Sequence, residues 1–183
     1  MNIWHDIDQS KIREDDFYAV IEISKGSKNK YELDKDTGLI MLDRILYTST
    51  HYPANYGFIP LTYANDLDPL DVLVLCSEAL VPVSLVRCYP IGVIRMIDGK
   101  YDDDKIIAIP YNDPNMNHYK TLDDVPKHMI SEIEHFFMVY KNLEHKSTTG
   151  FKLEGKKQAM DIIHQALHCL LYTSPSPRDP KTS

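Results

Sequence analysis

The sequence predicts an α+β protein, mainly β, in which a small antiparallel barrel is flanked by two amphipathic helices. Three observations predict it. Short runs of β-forming residues, separated by turns, fill the first two thirds of the chain. Apolar residues then recur at helical spacing in the last third. A length of 183 residues at 43% hydrophobic content suits one compact domain with its own core.

Residues 17–23, FYAVIEI, form the first clear strand, closed by the polar turn Ser24-Lys25-Gly26-Ser27. Residues 30–34 alternate polar and apolar, so Lys30, Glu32 and Asp34 share a face. Lys35-Asp36-Thr37-Gly38 is the next turn, and 39–46 returns as the hairpin partner. Strands follow at 72–76, at 84–97 with a break at Pro90, and at 105–109, with Asp98-Gly99 turning between the last two. From Pro126 the pattern changes. Met129, Ile133, Phe136 and Tyr140 line one helical face, with Asp123 and Asp124 as candidate caps. A second helix is expected over 154–171, with Ala159, Ile163, Ala166 and Leu170 inward. Residues 172–183 are proline-rich with little to bury, and are expected to be a disordered end or sequence foreign to the domain.

The formal net charge is −7, with 27 acidic against 20 basic residues, which opposes a nucleic-acid partner. Three cysteines without a CxxC pair read as small buried hydrophobes. Residues 1–6 lack the basic and apolar regions of a secretory signal. The apolar stretch 72–97 is broken by Ser77, Glu78, Pro82, Arg87, Pro90 and Arg95, so no membrane span is expected. A cytoplasmic location follows.

Residues 66–71, DLDPLD, crowd three carboxylates at the mouth of an apolar strand. Such carboxylates repel one another unless a cation neutralises them, and hard oxygen donors suit Mg²⁺ or Mn²⁺. An EF-hand would need Gly and Glu at the sixth and twelfth loop positions, where Asp71 and Ser77 stand. Asp98, Asp102, Asp103 and Asp104 form a second acidic turn, with Asp103 and Lys105 on one side if the chain is extended. Glu22, Lys30, Glu32, Arg44 and Tyr56 add both signs of charge, as a phosphate site held through metals requires. Taken singly, each group also reads as a solvated acidic turn or a set of cross-strand ion pairs.

In this order and spacing, the same residues resemble the family I soluble inorganic pyrophosphatases, in particular the compact bacterial type. The resemblance runs from Tyr18 to Gly155. It rests on Glu22, Lys30-Tyr31-Glu32-Leu33-Asp34, Asp43-Arg44, Tyr52-Pro53-Ala54-Asn55-Tyr56-Gly57, residues 66–71, Asp98, Asp103, Lys105, His135-Phe136-Phe137 and Tyr140-Lys141. It implies an OB-like five-stranded antiparallel barrel in a single domain, residues 1–171, several Mg²⁺ ions with Mn²⁺ as a substitute, pyrophosphate as substrate and a homo-oligomer, commonly a hexamer. By motif position Asp66, Asp71 and Asp103 would hold the activating metals, Asp98 the metal arriving with substrate, and Glu22 and Glu32 would support them. Asp68 would be the general base toward a metal-activated hydroxide. Lys30, Arg44, Tyr56, Lys105, Tyr140 and Lys141 would bind the phosphates.

Two departures stand out. Leu67 occupies a place where the family usually has a small or polar residue, and in an extended loop it would face away from its aspartate neighbours and pack on the barrel. Residues 148–156 match poorly. Two rivals remain at this level: a non-catalytic OB-like binding module, which would need a basic groove, and a two-metal phosphoesterase acting on nucleotides or sugar phosphates.

Overall fold

Five strands close on themselves through alternating apolar residues. The computed structural model describes residues 4–143 and 148–173, without the side chains of Asp98, of 148–149 and of 169–173. Its strands are β1 (Ile12–Arg13), β2 (Asp16–Ile23), β3 (Asn29–Leu33), β4 (Ile40–Ile45), β5 (Asn55–Ile59), β6 (Leu70–Val74), β7 (Leu85–Asp98), β8 (Tyr101–Asp102), β9 (Lys105–Pro110) and β10 (Thr148–Gly155). Helix α1 spans Lys127–Leu143 and α2 spans Lys156–Thr173. The ring runs β2-β5-β6-β9-β7 and closes where β7 pairs with β2. This is the OB-like barrel expected, with one difference: the β6–β9 seam is parallel, in register Asp71↔Lys105 to Val74↔Ala108. The other seams are antiparallel.

The period-two alternation divides the core in two. Val72, Val74, Ile106 and Ala108 join Phe17, Ile21 and Ile59 in one cluster, which Ala159, Ile163 and Ala166 of α2 complete. Leu73, Leu75, Ile107 and Ile109 turn to the other cluster, where α1 contributes Ile133, Phe136 and Phe137 at helical spacing. Because β6 and β9 are buried on both faces, their sequences read as near-continuous apolar runs.

Four strands were not anticipated, the two-residue β1 and β8 and the longer β5 and β10. In β5, Gly57 faces β2 so closely that a Cβ would lie 1.8 Å from the Val20 carbonyl oxygen; the glycine that weakens the strand signal is the one the pairing demands. Beside it, fully buried Asn55 accepts from the N–H groups of Lys25 (3.0 Å) and Leu80 (2.8 Å) and donates to the Glu78 carbonyl (3.0 Å). In β10, Phe151 and Leu153 pack inward while Lys152 and Glu154 pair at 3.2 Å, so α2 begins at Lys156 and not at Glu154. It also runs on to Thr173, past the boundary expected at 171. The rest of the expected tail, 174–183, lies outside the described residues.

Pro90 does not end β7. The register shifts between Pro90 and Gly92, and the strand continues to Asp98. At Gly92 a Cβ would come within 2.5 Å of Leu122 Cδ1 and 2.8 Å of the Glu154 carbonyl oxygen, so this bulge leaves no room for a side chain. Cys76 and Cys88 are free thiols, Cys88 buried, as small apolar residues would be. No helix among the described residues is long and apolar enough to cross a membrane.

The loop after β9 is fixed by buried Asp113, which accepts from the Ser77 N–H (2.7 Å), the Ser77 hydroxyl (3.0 Å) and the Asn115 N–H (3.0 Å). Burial opposes its ionisation, but these donors outweigh it and hold its pKa below 3.8. A depressed carboxylate pKa contributes stability above the unfolded value that is lost as pH falls through the folded value. Asp113→Ala is expected to cost about 2 kcal/mol at neutral pH by urea denaturation. That cost should shrink as pH falls from 3.8 through the lower pKa of the folded carboxylate; a pH-independent difference would refute the assignment.

Candidate active site

The acidic turns meet because parallel strands begin at the same end of a sheet. Asp71 in β6 and Lys105 in β9 are register partners, so the loop entering β6 and the turn entering β9 open on one rim of the barrel. A cavity of about 360 Å³ lies there, lined among others by Glu22, Lys30, Glu32, Tyr56, Asp66, Asp68, Asp71, Asp103, Lys105, Tyr140 and Lys141. Its walls are thus drawn from β2, β3, β5, β6, β9, α1 and the two turns.

Lys105 is the hub. It is 4% exposed, and its Nζ lies 3.0 Å from Asp71 Oδ2, 3.0 Å from Asp103 Oδ1 and 2.9 Å from the Tyr56 hydroxyl. The ammonium also stands 5.4 Å from the centroid of the Phe137 ring. Burial opposes its charge, yet Asp71, Tyr56 and Asp103 outweigh that and raise its pKa well above 10.5. Lys141, buried in the last turn of α1, reaches Asp103 at 3.5 Å. Burial works against ionisation of Asp103, but Lys105 and Lys141 carry its pKa below the ordinary 3.8.

Asp66, Asp71 and Glu22 shift the other way. Burial, together with neighbouring Asp71, Asp68 and Asp103, raises Asp66 to about 6, although Asp66 accepts from the Asp68 N–H at 3.2 Å. Burial also raises Asp71, with Asp103 adding to it against Lys105. Glu22, in β2, is pushed to about 8 by burial and by Asp71, while accepting from the Leu33 N–H at 2.7 Å. Clustered, partly buried oxygen donors with pKa values forced upward fit a hard divalent cation, which relieves the repulsion that protons otherwise relieve. Among the described residues, however, no three His, Cys, Asp or Glu side chains converge as a ready-made metal cluster. The cation between Asp71 and Asp103 is the lysine.

The hairpin β3–β4 supplies the opposite wall. Lys30 bonds Glu32 at 2.8 Å, as the shared strand face predicts, and Asp43 at 3.1 Å. Asp34 lies beyond the end of β3 and accepts from the Thr37 N–H (3.2 Å), closing the turn. Arg44 does not line the cavity. It lies in a small adjoining cleft with Leu46, Tyr47 and Thr50, donating to the Tyr140 hydroxyl (2.7 Å) and to Asp43 (2.7 Å). Its link to the cavity runs through Tyr140, which borders both. The Asp98 backbone ends β7, but its side chain lies outside the described residues.

Leu67 departs from expectation. It is 60% exposed with φ +69°, so it neither extends the loop nor packs on the barrel. The left-handed backbone turns the chain between Asp66 and Asp68, with the Ala64 N–H bonded to the Asp68 carbonyl at 2.8 Å. Glycine, or a short polar side chain such as Asn, would adopt that conformation at lower cost than leucine does. Lys35, Tyr52 and Asp43 are among the residues in contact with the site that were missed. Lys35 Nζ lies 2.6 Å from Asp68 Oδ1, Tyr52 lines the cavity, and Asp43 holds Lys30 and Arg44 together. Asp43 and Tyr52 lay within the motifs already quoted, whereas Lys35 sits in a polar turn with no signal of its own.

Residues 19–170 match the family model for inorganic pyrophosphatase. The inorganic pyrophosphatase of Haloferax volcanii is 43% identical over 168 residues, 91% of this chain and 95% of that protein. The soluble inorganic pyrophosphatase of Solanum tuberosum is 52% identical over 164 residues, 90% of this chain and 78% of its own. The crystal structure of the Thermus thermophilus inorganic pyrophosphatase has a TM-score of 0.86 at 35% identity, spanning 93% of this chain and 99% of that one. Kinship of this extent takes in the barrel, the rim and both helices together, and the chain belongs to the family I inorganic pyrophosphatases.

Proposed function

We propose that the chain hydrolyses inorganic pyrophosphate to two orthophosphates with divalent cations, Mg²⁺ first among them and Mn²⁺ as a substitute. The observation that carries this reading is Lys105, held between Asp71 and Asp103 with Tyr56 in a cavity walled by carboxylates on one side and cationic and phenolic donors on the other. Asp66, Asp71 and Asp103 are the residues to hold the activating cations, Asp98 joins Asp103 for the ion accompanying substrate, and Glu22 and Glu32 support them. When bound, these ions supply Lewis-acid neutralisation of the substrate's charge and make water a better nucleophile at neutral pH.

The chain's own groups do the rest. Lys30, Lys105 and Lys141 donate to phosphoryl oxygens, and the hydroxyls of Tyr56 and Tyr140 add neutral donors that orient without adding charge. Arg44 fixes the Tyr140 hydroxyl from the adjoining cleft and reaches substrate only by swinging inward. Asp68 stands at the mouth of the cavity, its side chain 59% exposed and its Oδ1 bonded to Lys35, where it takes the proton of the attacking water. No covalent attachment of phosphate to the protein is required. A basic stacking groove, which a nucleic-acid-binding barrel would need, has no counterpart in a rim this rich in carboxylates.

Phosphate release from pyrophosphate should require Mg²⁺, stop on adding EDTA and exceed release from nucleoside triphosphates or sugar phosphates. Equal turnover of those organic phosphates would favour a general phosphoesterase. Asp68→Asn should lower kcat by about 10²–10⁴-fold, the usual size of a general-base contribution, with metal affinity little changed. Turnover within twofold of wild type would exclude Asp68 from that role.

Lys105→Met tests the hub. Removing one partner of a buried ion pair typically costs about 3–5 kcal/mol, so the metal-free variant should unfold at markedly lower urea. Mg²⁺ should then stabilise the variant more than the wild type, because the ion meets two carboxylates no longer shared with an ammonium. Equal Mg²⁺ stabilisation of both proteins would show that the cation does not reach Asp71 and Asp103.

Assembly as a homo-oligomer, a hexamer by resemblance, is supported by the exposed Leu39, Met41, Leu42, Ile45 and Tyr47 along and beside β4. Light scattering of the pure protein should return a multiple of the 21.1 kDa chain mass, and a monomer mass at micromolar concentration would overturn it.

A further inference from the structure

A second constellation of ligating side chains lies away from the cavity, whose lining includes no residue of α2. His164 and His168 stand one helical turn apart on the exposed side of that helix, opposite the inward-facing Ala159, Ile163 and Ala166. Their rings meet edge to face, with centroids 4.3 Å apart and planes at 70°, and the two Nε2 atoms are 3.0 Å apart. On the far nitrogen of His164, Nδ1, Glu14 Oε1 lies 3.8 Å away, across from the turn between β1 and β2.

We infer that His164 and His168 form a binding site for a tetragonal transition-metal dication, Cu²⁺ or Ni²⁺, chemically separate from the carboxylate rim. With metal–nitrogen bonds of about 2.1 Å, a 3.0 Å nitrogen separation subtends about 90° at the ion. That is the angle between cis positions of a square-planar or octahedral ion, which imidazole-binding Cu²⁺ and Ni²⁺ prefer. For a given nitrogen site Cu²⁺ also stands above Zn²⁺ in affinity. Imidazole is also the wrong donor for Mg²⁺, which keeps the two sites from competing for one ion.

In the metal-free pair one Nε2 donates its hydrogen to the other, so one ring already offers a lone pair. Which ring donates depends on the tautomers, and either one can. When the ion binds, the donor ring moves its hydrogen to Nδ1 and both Nε2 lone pairs point at the metal, with no net proton released. Among the described residues no third His, Cys, Asp or Glu completes a cluster, so solvent or an exogenous ligand takes the remaining positions. The bound ion would clamp the helical turn from 164 to 168 and, through Glu14, tie α2 to the start of the barrel.

The test is electron paramagnetic resonance of the full chain titrated with Cu²⁺ in excess Mg²⁺, which keeps the carboxylate rim occupied. The wild type should show hyperfine structure from two nitrogens. His164→Gln and His168→Gln should each lose one nitrogen and bind Cu²⁺ about tenfold or more weakly, and Asp71→Asn should keep the wild-type pattern. Both histidines are exposed, so folding of the variants is not at stake. An oxygen-only spectrum in the wild type, or a two-nitrogen pattern that survives the double His164→Gln, His168→Gln variant, would overturn the assignment.

Discussion

The buried ammonium of Lys105 is the constraint around which this barrel rim is organised. Two carboxylates and a phenol converge on it at about hydrogen-bond distance in a place where little water screens them. At low effective dielectric such groups are tolerable only together, since each alone would be an uncompensated charge. Asp71, Asp103 and Lys105 are therefore mutually dependent. Tyr56 and Lys141 complete the set from β5 and the end of α1, so four separate elements are held to one point.

The parallel seam makes that convergence geometrically available. In a purely antiparallel barrel, adjacent strands begin at opposite ends, and the loops entering β6 and β9 would open on opposite rims. Running β9 alongside β6 in the same direction sets Lys105 directly beside Asp71, and the two acidic turns then face each other across one cavity. The long β7 makes this possible by delivering the chain back to the rim at Asp98 and turning it through β8 into β9. Its bulge between Pro90 and Gly92 bends the strand so that it pairs with β2 at one end and β10 at the other.

Much of this was legible from residue pattern alone. Strands with plain alternation or apolar runs, such as β2 and β9, and a helix with Ile133, Phe136 and Phe137 on one face announce themselves because burial imposes their periods. The pairing of Lys30 with Glu32 and of Asp103 with Lys105 followed from the two-residue repeat of a strand. What escaped was set by tertiary contact. Gly57 makes β5 look like a turn, although the glycine is required by the Val20 carbonyl opposite. The direction of β9 relative to β6 leaves no trace in either sequence. Lys35 reaches Asp68 only because the turn after β3 folds over the loop carrying residues 66–68, a contact between two polar segments that composition cannot pair.

The position of Arg44 shows how far sidedness alone carries. Register pairs Lys30 with Arg44 across the hairpin β3–β4, and a period-two reading therefore assigns both to the same wall. Lys30 does line the cavity, but a register shift between Lys30 and Tyr31 twists β4 away, and Asp43 and Tyr140 draw the guanidinium into the adjoining cleft. The planar fork of arginine suits this role: one face of contacts anchors it to Asp43 while a second nitrogen fixes the tyrosine hydroxyl that borders both spaces. The hairpin thus serves both as a wall, through Lys30 and Glu32, and as a frame, through Arg44, that sets the orientation of Tyr140, while the barrel rim and Lys141 of α1 carry the buried charge on which the site depends.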